Sequence, residues 1–277
     1  FKQKTAYEIM PSLVGSEMCI RDRTRHLVLK FPPKQLIGPL FACNSLFIFP
    51  LAAITTWEWS PKIIFLTLVS VATICLTALG VFELFTHGSA SATTTAQATS
   101  PIAAAIGSAL LLPSTFNWLE SIIAIFVIAG VLVALNDSFP ELNGLRMLIA
   151  GATASIGGGI ITVLSRQLLE EGAGLVQIYS IRTAVAGVLF ILFVPPKDLS
   201  MKEAPVIAIR SFFIATGFSL SILAVERGNP TMVQTMMSTT PIFLFIWESL
   251  RYGQLPSPRS LFAVFLVVIG IILTIST

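Results

Sequence analysis

The sequence predicts an all-α membrane protein built from two inverted repeats of five helices each. Of its 277 residues, 55% are apolar and only 11% are charged, whereas about a quarter of a water-soluble domain is charged. Apolar runs of about 20 residues recur along nearly the whole chain, and each is long enough to cross a hydrocarbon core as a helix. In addition, part of the first half matches the second half at one fixed offset.

Short polar connectors separate nine apolar runs, and we predict one transmembrane helix for each run. Trp57 and Trp118 lie near predicted span ends, as expected of aromatic residues at a membrane interface. No segment outside the runs is long enough to fold as a soluble domain. The predicted spans are residues 36–56, 63–82, 89–112, 117–135, 145–165, 173–194, 204–224, 231–250 and 259–276.

Charge and cysteine content argue against several functional classes. The net charge of +3 is small and spread over the connectors, so no basic block indicates a nucleic-acid partner. Cys19, Cys43 and Cys75 have neither metal-binding nor redox spacing. We therefore expect no metal site, no cofactor and no bound nucleic acid.

The first 23 residues differ from the rest of the chain. They are polar and mixed in charge, and they lack the apolar core of a signal peptide. The run SLVGSEMCIRDR resembles a translated sequencing-adapter read-through. We expect residues 1–23 to be an artefact of sequencing or assembly, with an ordinary polar tail as the alternative.

An internal repeat relates the two halves. Residues 85–135 align without a gap onto residues 225–275 at an offset of 140. Chance apolar similarity could mimic one match, but it would not keep several glycines and prolines in register. The matched pairs are Gly88 with Gly228, Pro101 with Pro241, and Gly130 with Gly270.

The repeat predicts the number of helices and their orientation. The second half has five predicted spans and the first has four, and the counterpart of span 145–165 would fall on residues 1–23. We infer a ten-helix parent whose first helix is lost, with nine helices visible here, a first repeat over 24–136 and a second over 137–277. Because five is odd, the second repeat enters the membrane inverted, as in many secondary transporters.

Three segments carry a family resemblance. GSASATTTAQATSPIAAAI and GNPTMVQTMMSTTPIFLFI are a matched pair, and each precedes a glycine-containing final helix. With YSIRTAVAGVLFILFVPP, they make residues 36–276 similar to the EamA family of the drug/metabolite transporter superfamily. The resemblance implies transport of small metabolites such as amino acids, nucleobases or drugs, often outward and often coupled to protons.

The candidate substrate-binding residues lie in the two matched helices. Span 89–112 is rich in hydroxyl and amide side chains, which are costly to expose to lipid and should face inward. Such groups both donate and accept hydrogen bonds, as a small polar solute requires. Thr94 with Gln97, and Gln234 with Ser238, share a helical face in each repeat. The alternative is that these groups bond to their own helices or permit close packing.

Proline and small residues predict two further local features. Pro101 and Pro241 should kink their helices, since proline lacks an N–H and clashes one turn back. Kinks at matched positions in two halves point to a site near the membrane midplane, and the alternative is a kink that only shapes packing. Gly151, Ser155 and Gly159 form a small-residue stripe, which favours close helix packing over binding.

Arg182 is an intramembrane charge well inside its predicted span. It needs a carboxylate, carbonyl or water partner, or it snorkels to the interface. Glu83 and His87 should lie in the turn that precedes the first matched segment, as Glu226 and Arg227 should for the second.

These features favour a secondary transporter that exports small polar metabolites by alternating access. A sugar-nucleotide or phosphate-ester carrier of the same superfamily is the runner-up, because only Arg182 and Arg210 could neutralise such substrates. A membrane-embedded enzyme would need convergent catalytic groups, and the chain contains two His and no HExxH or GxSxG motif. We therefore expect no enzyme. We expect a multi-pass protein of the bacterial cytoplasmic membrane, and the sequence also allows a homodimer.

Overall fold

The computed structural model of the chain describes residues 27–28, 30–87, 93, 96–113, 117–134, 144–197, 199, 201–239, 265 and 269. These residues contain helices and no strand, and the predicted all-α class is confirmed. A short 3₁₀ helix, Met201–Glu203, precedes the seventh α-helix. In the described residues the α-helices are α1 (Pro33–Ala52), α2 (Pro61–His87), α3 (Ser100–Leu111), α4 (Trp118–Ala134), α5 (Leu145–Glu170), α6 (Leu175–Phe193), α7 (Ala204–Arg227) and α8 (Pro230–Met237).

Five described helices, α1, α2, α5, α6 and α7, are long and apolar enough to cross a membrane. Many of their large apolar side chains face outward, including Leu46 and Phe193, which are 69% and 81% exposed. Water would penalise such a surface, whereas lipid is as apolar as these side chains. The chain is therefore a multi-pass membrane protein. Segment 1–23 and nearly all of span 259–276 lie outside the described residues.

The helix ends correct one expectation from the sequence. Glu83 and His87 lie inside the last turn of α2 and not in the turn after it. Their side chains approach to 3.4 Å as an i,i+4 pair, which supports a helix. Likewise, α7 continues to Arg227. The helices extend beyond the apolar runs because charged side chains at a helix end do not interrupt the backbone hydrogen bonds.

Helices α2 and α5 pack together along their length, although they belong to different repeats. Ion pairs join them at both ends: Lys62 contacts Glu171, and Arg146 contacts Glu83. Since each pair joins the start of one helix to the end of the other, the two helices run antiparallel.

The contact between α1 and α6 shows how the two repeats are related. A Cβ added to Gly38 would lie 2.8 Å from Ile191 Cγ1, and a Cβ added to Gly187 would lie 2.8 Å from the backbone N of Ala42. Gly38 and Gly187 are 149 residues apart, as are Ala42 and Ile191. Replacing each residue by its equivalent in the other repeat therefore turns the contact of Gly38 with Ile191 into the contact of Gly187 with Ala42. A twofold relation between antiparallel helices gives this pattern, and the predicted two-repeat architecture is confirmed.

Candidate functional site

A cavity of about 250 Å³ lies between the helices of the two repeats. Its walls are largely apolar, with hydroxyl, amide and guanidinium groups at intervals. Such a mixture is typical of a small-molecule site, in which a few polar groups fix the orientation of a ligand. The polar side chains of the described lining are Asn44, Thr77, Gln97, Ser100, Thr162, Ser165, Arg182, Arg210, Ser221, Gln234 and Ser238.

The cavity lining follows the internal repeat. Five lining residues of α2 have counterparts in α7 that also line the cavity, at the offset of 140. The same offset relates two lining residues next to α3 to two lining residues at the end of α8. The pairs are Ile74 with Ile214, Ala78 with Phe218, Val81 with Ser221, Phe82 with Ile222, Phe85 with Val225, Gln97 with Met237, and Ala98 with Ser238.

In both repeats a helical segment ends in a turn beside this cavity. Residues 98–99 form a turn, and so do residues 238–239, the positions equivalent to them. Thr99 Oγ1 donates to the carbonyl of Ala96 at 3.1 Å. Thr239 Oγ1 donates to the carbonyl of Met236 at 2.7 Å. One hydroxyl at one position therefore satisfies the same carbonyl in each repeat.

The break corrects the prediction of one continuous helix over 89–112. Helix α3 begins anew at Ser100, with Pro101 in its first turn. Proline is well tolerated there, because the first helical N–H has no intrahelical partner in any case. The interruption thus lies just before the proline and not one turn earlier. Thr94 and Pro241 lie outside the described residues.

The small-residue stripe of α5 packs against this break, which confirms its predicted role. Ser155 Oγ lies 2.6 Å from Thr99 Oγ1. A Cβ on Gly159 would lie 2.5 Å from the carbonyl oxygen of Ser100. Helix α5 can approach the broken helix so closely only because these positions carry small side chains.

The predicted residues Gln97, Gln234 and Ser238 all lie at the cavity wall. Gln234 Nε2 donates to the carbonyl of Gly158 at 2.9 Å, which holds the amide across the gap between α8 and α5. Ser238 Oγ donates to the carbonyl of Thr235 at 2.7 Å. Its only proton is used within its own helix, so Ser238 can offer a ligand an acceptor and not a donor.

Arg182 does not snorkel, since it is only 2% exposed. Its Nη2 donates to Ser165 Oγ at 2.9 Å, and Ser165 in turn donates to the carbonyl of Ile161 at 2.7 Å. Arg182 Nε has no acceptor among the described residues. A second guanidinium, that of Arg210, also lines the cavity and lies 5.9 Å from the centre of the Phe82 ring, within cation–π distance.

Reasoning from the sequence missed Asn44. This residue is 3% exposed, and its Oδ1 has no partner among the described residues. The available signal was an isolated amide inside an apolar span, which is expected to face the protein interior. Among the described residues, no group of three His, Cys, Asp or Glu could hold a metal ion.

The EamA-like transporter family matches residues 24–136 and again residues 145–276. Among solved structures, 29 chains match. One of them, described as "Crystal structure of protein", has a TM-score of 0.75 and 15% identity, over 99% of this chain and 96% of its own. That likeness supports the fold alone. A comparison with curated proteins gives no match. With a match in each repeat, the chain belongs to the EamA-like transporter family, a family of membrane transporters.

Proposed function

We propose that the protein is a secondary transporter that exports a small polar metabolite by alternating access, in the bacterial cytoplasmic membrane. The observation that carries this proposal is one cavity lined at equivalent positions by both repeats. In transporters built from inverted repeats, the substrate binds at the repeat interface, and rocking of one repeat against the other exposes the site to each side in turn.

The cavity volume supports a small metabolite. A volume of about 250 Å³ lies below the roughly 300–1,000 Å³ of pockets for drug-sized ligands. A sugar nucleotide, which joins a sugar, a pyrophosphate and a nucleoside, would exceed this space. The dimensions therefore favour a small metabolite over a sugar nucleotide.

The matched turns at 98–99 and 238–239 supply part of the polar wall of the proposed site. Interrupted helices typically form the substrate site in transporters, because backbone groups near an interruption can reach the ligand. We assign Gln97, Gln234 and Ser238 to hydrogen bonding with the substrate, together with Thr94. Pro101 and Pro241 would keep nearby backbone carbonyls free to bind the substrate.

Gln97→Leu and Gln234→Leu should each raise the half-saturation constant for transport. Leucine keeps the approximate size of glutamine but removes its amide. Loss of one hydrogen bond to a neutral group costs about 0.5–1.5 kcal/mol, so we expect an increase of roughly 2- to 12-fold in that constant. The measurement is the initial rate of solute flux into proteoliposomes as a function of substrate concentration.

Gln177→Leu is the matched control. Gln177 is a buried glutamine that exchanges hydrogen bonds with the backbone of Glu58 and does not line the cavity. Its replacement should change stability but not the half-saturation constant. If both cavity variants insert normally and keep the wild-type constant, Gln97 and Gln234 serve packing only and the substrate binds elsewhere.

A further inference from the structure

We propose that the transported substrate carries a carboxylate and that Arg182 binds this group inside the cavity. The proposal rests on the transport function above and names its substrate class. It assigns to the buried guanidinium a ligand that the described residues do not supply.

Among the described residues, no carboxylate pairs with Arg182. A guanidinium has five N–H donors, and the hydrogen bond that the structure gives Arg182 goes to the neutral Ser165. Because the Ser165 proton is donated to the carbonyl of Ile161, its oxygen must accept, and this holds Arg182 in one orientation. Burial of an unpaired cation is costly, and a carboxylate offsets that cost because it accepts two parallel N–H bonds at once.

The charges along the cavity wall have one sign. The ionisable side chains among the described lining residues are Arg182 and Arg210, and no described Asp or Glu lines the cavity. A low-dielectric cleft with charges of one sign attracts the opposite charge. The two guanidinium groups therefore favour an anion over a cation as the ligand.

The two cations make the contributions of the two repeats to the cavity unequal. At the offset of 149 that relates α1 to α6, the counterpart of Arg182 is Pro33. At the offset of 140 that relates α2 to α7, the counterpart of Arg210 is Ser70. Both positive charges thus belong to the second repeat. The carboxylate would bind near these guanidinium groups, and the remainder of the ligand would contact Phe82, Phe85 and the amides of Gln97 and Gln234.

This arrangement fits a small organic monocarboxylate. A phosphate ester could use the same guanidinium, so the experiment must separate the two anions. The probes are lactate and hydrocinnamate, their uncharged amides lactamide and hydrocinnamamide, and phenyl phosphate. Binding of each probe to the purified full-length protein is measured as a shift in Tm and by calorimetry.

We expect a carboxylate to bind roughly 10- to 150-fold more tightly than its amide, as for a hydrogen bond to a charged group. Arg182→Gln should abolish that preference. Arg182→Lys should retain part of it, because lysine keeps the charge but loses the planar fork. Arg166→Gln is the control: Arg166 pairs with Glu170 and lies outside the cavity lining, so its loss should leave the preference intact.

Several results would overturn the carboxylate site. These are equal binding of acid and amide, no stabilisation by either carboxylate, a preference that survives in Arg182→Gln, or tightest binding of phenyl phosphate. A flux assay in proteoliposomes tests the underlying transport function separately. Flux of an uncharged solute without any carboxylate preference would support the transport function and contradict the carboxylate site. An Arg182-dependent preference for carboxylates without flux would support the carboxylate site and contradict the transport function.

Discussion

Gly159→Ala should lower the free energy of unfolding by about 1–3 kcal/mol, the usual cost of overpacking a well-packed interior. The added Cβ would lie 2.5 Å from the carbonyl oxygen of Ser100, 2.6 Å from the backbone N of Ala104 and 2.7 Å from Ala103 Cβ. Two of these neighbours are backbone atoms of α3, which cannot rotate away. Helix α5 would have to separate from the broken helix of the other repeat.

Gly158→Ala provides a control at the adjacent position of the same helix. Its added Cβ would lie 3.7 Å from Gln234 Nε2 and from Ser100 Cβ, which is ordinary van der Waals contact. Alanine in a helix is favoured over glycine by about 0.8–1.0 kcal/mol, so this variant should be as stable as the wild type or more so. Tm in detergent and the elution profile report both variants. Equal behaviour of the two would show that α5 and α3 do not press together as the structure has them.

The repeat was readable in the sequence because glycine and proline mark it. The offset of 140 aligns Pro101 with Pro241, and the structure places side chains at that offset on one cavity, such as Ile74 and Ile214. The gap-free match did not extend to α1 and α6, because equivalent residues of these helices are 149 apart and the alignment needs a gap to reach them. The equivalence of Gly38 and Gly187 was therefore recognised only from the contact between the two helices.

The turn at residues 98–99 and the burial of Arg182 could not be derived from hydropathy. A hydropathy profile reports how apolar a segment is, and not which carbonyl a hydroxyl satisfies, so the Thr99 turn was invisible in it. Whether Arg182 snorkels depends on its neighbour in space, and that neighbour, Ser165, lies on a different helix. Both features require the tertiary arrangement.

Cross-linking residue 99 to residue 155 should abolish transport. Thr99 lies at the break of the first repeat and Ser155 on α5 of the second, and their hydroxyl oxygens are 2.6 Å apart. This separation is short enough for the sulfur atoms of two cysteines at these positions to reach the roughly 2.05 Å bond length of a disulfide. Alternating access requires the two repeats to move against each other, so a covalent bond between them should stop the cycle.

The test uses Thr99→Cys with Ser155→Cys in a chain whose Cys19, Cys43 and Cys75 are replaced by serine or alanine. Flux in proteoliposomes should fall to background after oxidation and recover after reduction. Each single cysteine variant, oxidised in the same way, should keep its flux, which separates the cross-link from the substitutions. Full flux through the cross-linked protein would mean that α5 and the broken helix move as one body. The moving interface would then have to lie at another contact between the repeats, and the contact between α1 and α6 at Gly38 and Gly187 is an extensive one among the described helices.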